Sequence, residues 1–185
     1  MHNKPEPDTT ANHAHRGASP LGGAAQWGAR TEQLQMFATP QTTRTSDDYY
    51  TPKWIFELLK ITFDLDVACP PEGPTHTPCK AFYTQQDDGL TSPWHGNVFM
   101  NPPFSKPQPW VHKFMEHKQG IAILPVSKSR WFSILWNDDN GIVALPSDLK
   151  FVDPNGGPGS IFMPTCIVAY GQNNITALNR LGRVR

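Results

Sequence analysis

Asn101-Pro102-Pro103-Phe104 follows directly on the apolar run Asn97-Val98-Phe99-Met100 and is the part of the chain whose residue types point most directly to chemistry. Two successive prolines fix φ at both positions and supply no N–H donor. The loop therefore presents acceptors: the Asn101 side-chain oxygen and the Pro102 carbonyl. An exocyclic amine on a heterocycle carries two N–H donors, so two fixed acceptors form its complement. Accepting both protons raises electron density on the nitrogen and frees a lone pair otherwise delocalised into the ring. An aromatic at the fourth position, Phe104, has the shape to stack on a base lifted out of a duplex. This is the chemistry of an amine made nucleophilic without a general base or a metal.

Other polar groups gather around that loop. Asp64 and Asp66 stand two apart on a strand-like stretch, so they share one face, either of a site or of a solvated edge. Lys106, Lys113, Lys128 and Arg130 cluster near the loop and the strand after it, where phosphate contact and a plain solvated face are both open. Cys69, His76 and Cys79 supply only three ligands in a spacing that matches no familiar zinc site, so no metal is expected. Cys166 falls in an apolar strand and reads as a small core residue. Trp94 and Trp110 flank the loop and are expected to pack beneath it.

The elements that must position these residues alternate in type. Thr51 and Pro52 suit the cap and first position of a helix to about Lys60, with Trp54, Ile55, Leu58 and Leu59 as its apolar stripe. Residues 61–67 alternate like a strand, and 69–78 (CPPEGPTHTP) is all turn chemistry. Residues 81–84 read as a short strand and 87–90 as a turn. A helix is expected from about Pro109 to Gly120, a doubly buried strand over 121–126, and a helix over 131–136. Strands at 141–145, 150–152 and 160–170 complete the pattern. Strands alternating with helices imply an α/β fold, a three-layer and mostly parallel sheet with an antiparallel pair at one edge. In such sheets the functional crevice lies beyond the carboxyl ends of the strands, where Asn101 sits.

The chain of 185 residues suits one domain, with 16 basic and 16 acidic side chains and no formal net charge. Attraction to a polyanion must therefore come from a local patch. Three cysteines argue against a disulfide scaffold, and no apolar run reaches a membrane span. The N-terminus lacks the apolar core of a signal peptide, so a soluble, cytoplasmic protein is expected. Residues 1–46 are rich in Thr, Ala, Gly, Pro, Asn and His and are expected to be disordered, with 32–37 able to dock as a turn of helix. The domain then runs over 47–172, and 173–185, with three arginines and no acids, reads as a frayed polar tail.

A wider pattern surrounds the loop: Tyr50-Thr51-Pro52, Phe63-Asp64-Leu65-Asp66-Val67-Ala68, Phe82-Tyr83-Thr84, Asp87-Asp88-Gly89-Leu90, Trp94, then Asn101-Pro102-Pro103-Phe104-Ser105. In that order it resembles the phage and prophage DNA N6-adenine methyltransferase family, often called Dam-like, over about Asp47 to Gly171. The resemblance implies methyl transfer from S-adenosylmethionine to adenine N6 of double-stranded DNA, in a bacterial host. Asn101, Pro102, Pro103 and Phe104 would hold the target amine and base. Tyr50, Thr51, Pro52, Asp64, Asp66 and Asp88 would border the cofactor, Asp66 at its methionine end and Asp88 at its adenine amine. Lys106, Lys128 and Arg130 would meet DNA. The chain departs from the pattern in lacking a glycine-rich first loop, where CPPEGPTHTP holds the single glycine Gly73. Cytosine N4 presents the same amine geometry, so the base follows from the resemblance and not from the loop. A degenerate fold that binds DNA or protein without turnover is the competing reading, and methylation of a protein glutamine or an RNA base a more distant one.

Overall fold

The computed structural model describes Asp47 and residues 49–185. The N-terminal stretch expected to be disordered, with its 32–37 piece, lies outside the described residues. The described chain runs α1 (Lys53–Leu59), β1 (Phe63–Asp66), β2 (Cys79–Phe82), β3 (Val98–Met100), α2 (Gln108–His117), β4 (Gly120–Pro125), α3 (Arg130–Trp136), β5 (Gly141–Ala144), β6 (Lys150–Val152), β7 (Pro158–Ser160), β8 (Thr165–Tyr170) and α4 (Gln172–Leu178).

Six strands form one sheet in the order β2-β1-β3-β4-β8-β5. β1 to β4 pair in parallel, whereas β8 runs antiparallel to both β4 and β5. The three layers follow from side-chain alternation along doubly buried strands. In β4, Ile121 and Ile123 pack with Ile55, Phe56 and Leu59 of α1 and with Ala177 and Leu178 of α4. Ala122 and Leu124 pack on the opposite side with Val111 and Phe114 of α2 and Trp131, Phe132 and Leu135 of α3. The expected α/β sheet with an antiparallel edge is the one observed. A separate two-stranded hairpin, β6–β7, is inserted between β5 and β8 and bridges to Tyr50.

Two local expectations are corrected. Thr51 does not cap α1: Pro52 holds the N-cap position without a side-chain hydrogen bond, and the helix begins one residue later. Its buried stripe is Ile55, Phe56 and Leu59, while Trp54 and Leu58 are exposed. The C-terminal segment is not a frayed tail. Residues 172–178 form α4, with Asn174, Ala177 and Leu178 buried. Asn174 donates from Nδ2 to Asn97 Oδ1 at 2.6 Å and to the Tyr170 carbonyl at 2.8 Å, tying the helix to the start of β3. Arg185 then pairs its backbone with Ile142 along the exposed edge of β5. Its polar composition hid one short apolar face.

Candidate active site

All three residues of β3 are buried, so the strand is clamped between both helical layers and delivers Asn101 at its carboxyl end. Asn101 is half-buried, and its Nδ2 donates to the Tyr49 carbonyl at 3.1 Å. A carboxamide has one acceptor oxygen and one donor nitrogen, so this bond fixes which end points where. Asn101 Oδ1 is left as the open acceptor among the described residues. On the far side of the loop, Ser105 donates its N–H and hydroxyl to the two Asp47 carboxylate oxygens, at 2.9 and 2.6 Å. The loop is thus pinned at both ends by the segment that precedes α1.

That segment is itself held from above by the β6–β7 hairpin. Tyr50 and Val152 exchange backbone hydrogen bonds of 2.8 and 2.9 Å. The Tyr49 ring lies against Gly159, where an added Cβ would come within 2.0 Å of the ring. Glycine is required there by space.

Phe104 departs from expectation. Its side chain is 6% exposed and packs edge-to-face on Phe151, ring centroids 6.5 Å apart. The ring belongs to the core beneath the hairpin and offers no open face for a base. The aromatic residues that border the cavity described next are Tyr49, Tyr50, Phe99 and Trp110.

Beside the loop lies a cavity of about 650 Å³, walled by Asn101, Pro103, Tyr50, Thr51, Asp66 and Asp88. A site of this size suits a small organic molecule rather than an ion. Asp66, the last residue of β1, is 3% exposed yet faces the cavity. Its carboxylate accepts from the Ala68 N–H at 3.2 Å and from the Thr77 hydroxyl. Burial outweighs those bonds and pushes its pKa up to about 6. Thr51 is 5% exposed, and its Oγ1 is buried without a hydrogen-bond partner among the described residues. A buried, unmatched hydroxyl and a buried carboxylate without a cation are both costly unless a ligand meets them.

Asp88 also lines the cavity, at positive φ (48°), a conformation that aspartate tolerates better than most side chains. Its Oδ1 accepts from Leu90 N–H at 3.1 Å and its Oδ2 from the Thr91 hydroxyl at 3.0 Å, leaving lone pairs on an exposed carboxylate. The remaining wall is the loop after β1, including Pro70, Pro71, Glu72, Thr75 and Thr77. A proline- and threonine-lined loop therefore occupies the place where a glycine-rich one was missed in the sequence.

Not every residue singled out from sequence reaches this cavity. Asp64 stands outside its walls and is structural: the Asn97 N–H at 2.7 Å and the Lys80 ammonium at 2.7 Å hold its carboxyl below the usual range. Pro52 is buried at the head of α1, and Pro102 is buried within the loop; neither lines the cavity. Lys106, Lys128 and Arg130 are exposed, and none forms an ion pair among the described residues. Lys113 is not a free cation; its ammonium is taken up by three backbone carbonyls. No three His, Cys, Asp or Glu side chains among the described residues form a group that could hold a metal ion. No described helix is long and apolar enough to cross a membrane.

Sequence reasoning missed Tyr49, whose contribution is a backbone carbonyl, and Pro154, brought to the cavity by the hairpin. Trp110, expected to pack beneath the loop, also lines the cavity, with its ring against Gly89.

Residues 38–160 match the family model described as DNA N-6-adenine-methyltransferase (Dam). The chain is 32% identical over 133 residues to the DNA N-6-adenine-methyltransferase of Haemophilus phage HP1, covering 64% of this chain and 75% of that protein. It is 32% identical over 121 residues to the DNA N-6-adenine-methyltransferase of Escherichia phage T1, covering 60% of this chain and 49% of that longer protein. No solved structure matches significantly.

Proposed function

The chain belongs to the DNA N-6-adenine-methyltransferase (Dam) family, and from that we propose that it methylates adenine N6 in double-stranded DNA with S-adenosylmethionine as donor. The observation that carries the reading is the orientation of Asn101. With its Nδ2 committed to the Tyr49 carbonyl, Oδ1 is the acceptor offered to an incoming amine. The Pro102 carbonyl would accept a hydrogen bond from the amine's second N–H, at the loop beside the cavity wall from which Pro102 itself is absent. Neither group can accept a proton outright, so the loop raises nucleophilicity by hydrogen bonding and not as a base.

The cavity suits the proposed cofactor in its donors and acceptors. Asp66 is a buried carboxylate with no ion-pair partner among the described residues, the complement of an α-ammonium group. Thr51 Oγ1 is a buried hydroxyl lacking a partner among the described residues, able to donate to a carboxylate or ribose oxygen. Asp88 retains acceptor capacity for an adenine amine at the cavity wall. When bound, S-adenosylmethionine supplies an electrophilic methyl group on a sulfonium, which needs no metal. Asp66 and Thr51 would hold its amino-acid end, Asp88 its adenine, and Tyr50 would border both from above.

The target base must leave the duplex to reach Asn101, because the loop lies at a recessed strand end beside the cavity. Phe104 is not assigned the stacking role, since its ring is committed to the core. Lys106, Lys128 and Arg130 would meet phosphates on the exposed surface around the loop and the end of β4. Isothermal calorimetry with S-adenosylhomocysteine tests the cofactor assignment: saturable binding is expected for the wild type and weakened binding for Asp88→Ala. A folded wild type with no affinity would overturn it in favour of a module that binds without turnover.

A further inference from the structure

Lys113 lies on α2 with no place in the cavity wall, yet it makes a dense set of contacts just behind it. Its Nζ donates to the carbonyls of Gly89, Leu90 and Ser92, at 3.0, 2.8 and 2.5 Å. The same ammonium lies 5.0 Å from the centre of the Trp94 ring. Trp94 adds its own hydrogen bond, Nε1 to the Gly89 carbonyl, at 2.7 Å. Three carbonyls converging on one ammonium are charge-assisted bonds, stronger than neutral ones, and the ring face adds a further attraction.

These contacts all fall on the turn that begins with Asp88. Within it, the Asp88 carbonyl accepts from Thr91 and Ser92 N–H, and the side chain accepts from Leu90 and Thr91. Gly89 is pressed against the end of β1: an added Cβ would sit 2.0 Å from the Val67 carbonyl and 3.1 Å from the Trp110 ring. Val67 directly follows Asp66. The turn that carries Asp88 is thus packed on the strand end that carries Asp66, and both residues line the cavity.

We infer that Lys113 is a positioning residue: with Trp94 it holds the Asp88 turn against β1 and so preorganises the wall that receives the adenine end of the cofactor. This rests on the cofactor reading of the cavity given above. A binding wall fixed beforehand loses less on association than one ordered by the ligand, so the contribution is to affinity. A surface lysine would leave affinity untouched when removed. Desolvation lowers the Lys113 pKa while Asp88 and Glu116 oppose that shift, as expected for a cation drawn off the surface into the turn.

The test uses Lys113→Met, which keeps most of the apolar stem and removes the ammonium. Affinities are measured for S-adenosylhomocysteine and for 5′-methylthioadenosine, which shares the adenosine end and lacks the amino-acid end. Both are expected to fall together, by about tenfold or more, as KM for the methyl donor rises while KM for DNA stays within about twofold. A folded Lys113→Met protein with wild-type affinity for both probes would overturn the assignment, even if its thermal midpoint had dropped. Should that variant fail to fold, Trp94→Phe keeps an aromatic face for the Lys113 ammonium and loses the bond to Gly89; both probes are expected to bind more weakly, and wild-type affinity for both in that folded variant would overturn the clamp. A wild type that bound neither probe would instead overturn the cofactor reading of the cavity, and this assignment with it.

Discussion

Asn101 and Tyr49, 52 residues apart in the chain, meet through a 3.1 Å hydrogen bond from the Asn101 side-chain amide to the Tyr49 backbone carbonyl. The bond decides which end of the amide is offered to a substrate. Its geometry depends on a third element, because Tyr49 is seated on Gly159 of the β6–β7 hairpin.

Gly159→Ala therefore tests the orientation from a distance. A methyl group there collides with the Tyr49 ring, moves that segment and releases the Asn101 amide. At saturating substrates kcat is expected to fall about tenfold, near 1.4 kcal/mol, in a protein that still folds. Steady-state kinetics showing unchanged kcat would mean that Asn101 is oriented some other way.

Asp66 gives a pH dependence with a definite sign. Burial raises its pKa from 3.8 to about 6, so between those values the folded chain holds a proton that the unfolded chain has released. Its contribution to stability is present at low pH and declines as pH rises through about 6, most sharply in the unliganded protein. Asp66→Asn should flatten that decline in denaturant titrations. A ligand bearing a cation selects the ionised form, so S-adenosylhomocysteine should bind more tightly as pH rises across the same window, and Asp66→Asn should lose that gain. Affinity independent of pH in the wild type would remove Asp66 from the cofactor's cationic end.

Contact with DNA should be electrostatically modest, since 16 basic side chains are balanced by 16 acidic ones. Neutralising three or four phosphates gives a slope of about −3 to −4 in log affinity against log salt. Replacing Lys106, Lys128 or Arg130 singly by Ala should make the slope shallower by about 1 each. Fluorescence anisotropy across a salt series measures it. A wild-type slope near about −8 would reveal a larger basic surface than these three residues form.

Stability should depend on the helix that sequence composition concealed. Leu178 is fully buried against the α1 side of the sheet, and Leu178→Ala should cost about 2–5 kcal/mol in chemical denaturation. A loss below about 0.5 kcal/mol, the scatter of surface changes, would mean that α4 does not pack as described.

The layered sheet was legible because its central strands β3, β4 and β8 are buried on both faces; β4, with all six residues buried, announces a central strand without any partner in view. The place of the Asn101 loop at a strand's carboxyl end was legible because an apolar strand runs straight into Pro102 and Pro103, which constrain the backbone whatever surrounds them. Phe104 was misjudged for the converse reason: whether a ring stacks on a ligand or on Phe151 depends on a hairpin some 45 residues downstream. Asp64 and Asp66 are indistinguishable in sequence, both on one strand two residues apart, and only the Asn97 N–H and Lys80 show which is structural. Lys113 carried the same ambiguity. A lysine that closes a turn and one that meets phosphate are spelled alike, and the three converging carbonyls appear only once the chain is folded.

The central claim is that Asn101 activates an adenine amine, and nucleoside mass spectrometry of DNA from expressing cells tests it most directly. DNA from cells making the wild-type protein should contain N6-methyladenine above the level of a host lacking its own adenine methylation. Asn101→Ala, verified as folded, should lower that product at least about 100-fold, near 2.7 kcal/mol of lost transition-state stabilisation. N6-methyladenine persisting at wild-type levels in folded Asn101→Ala, or N4-methylcytosine as the wild type's product, would contradict the account.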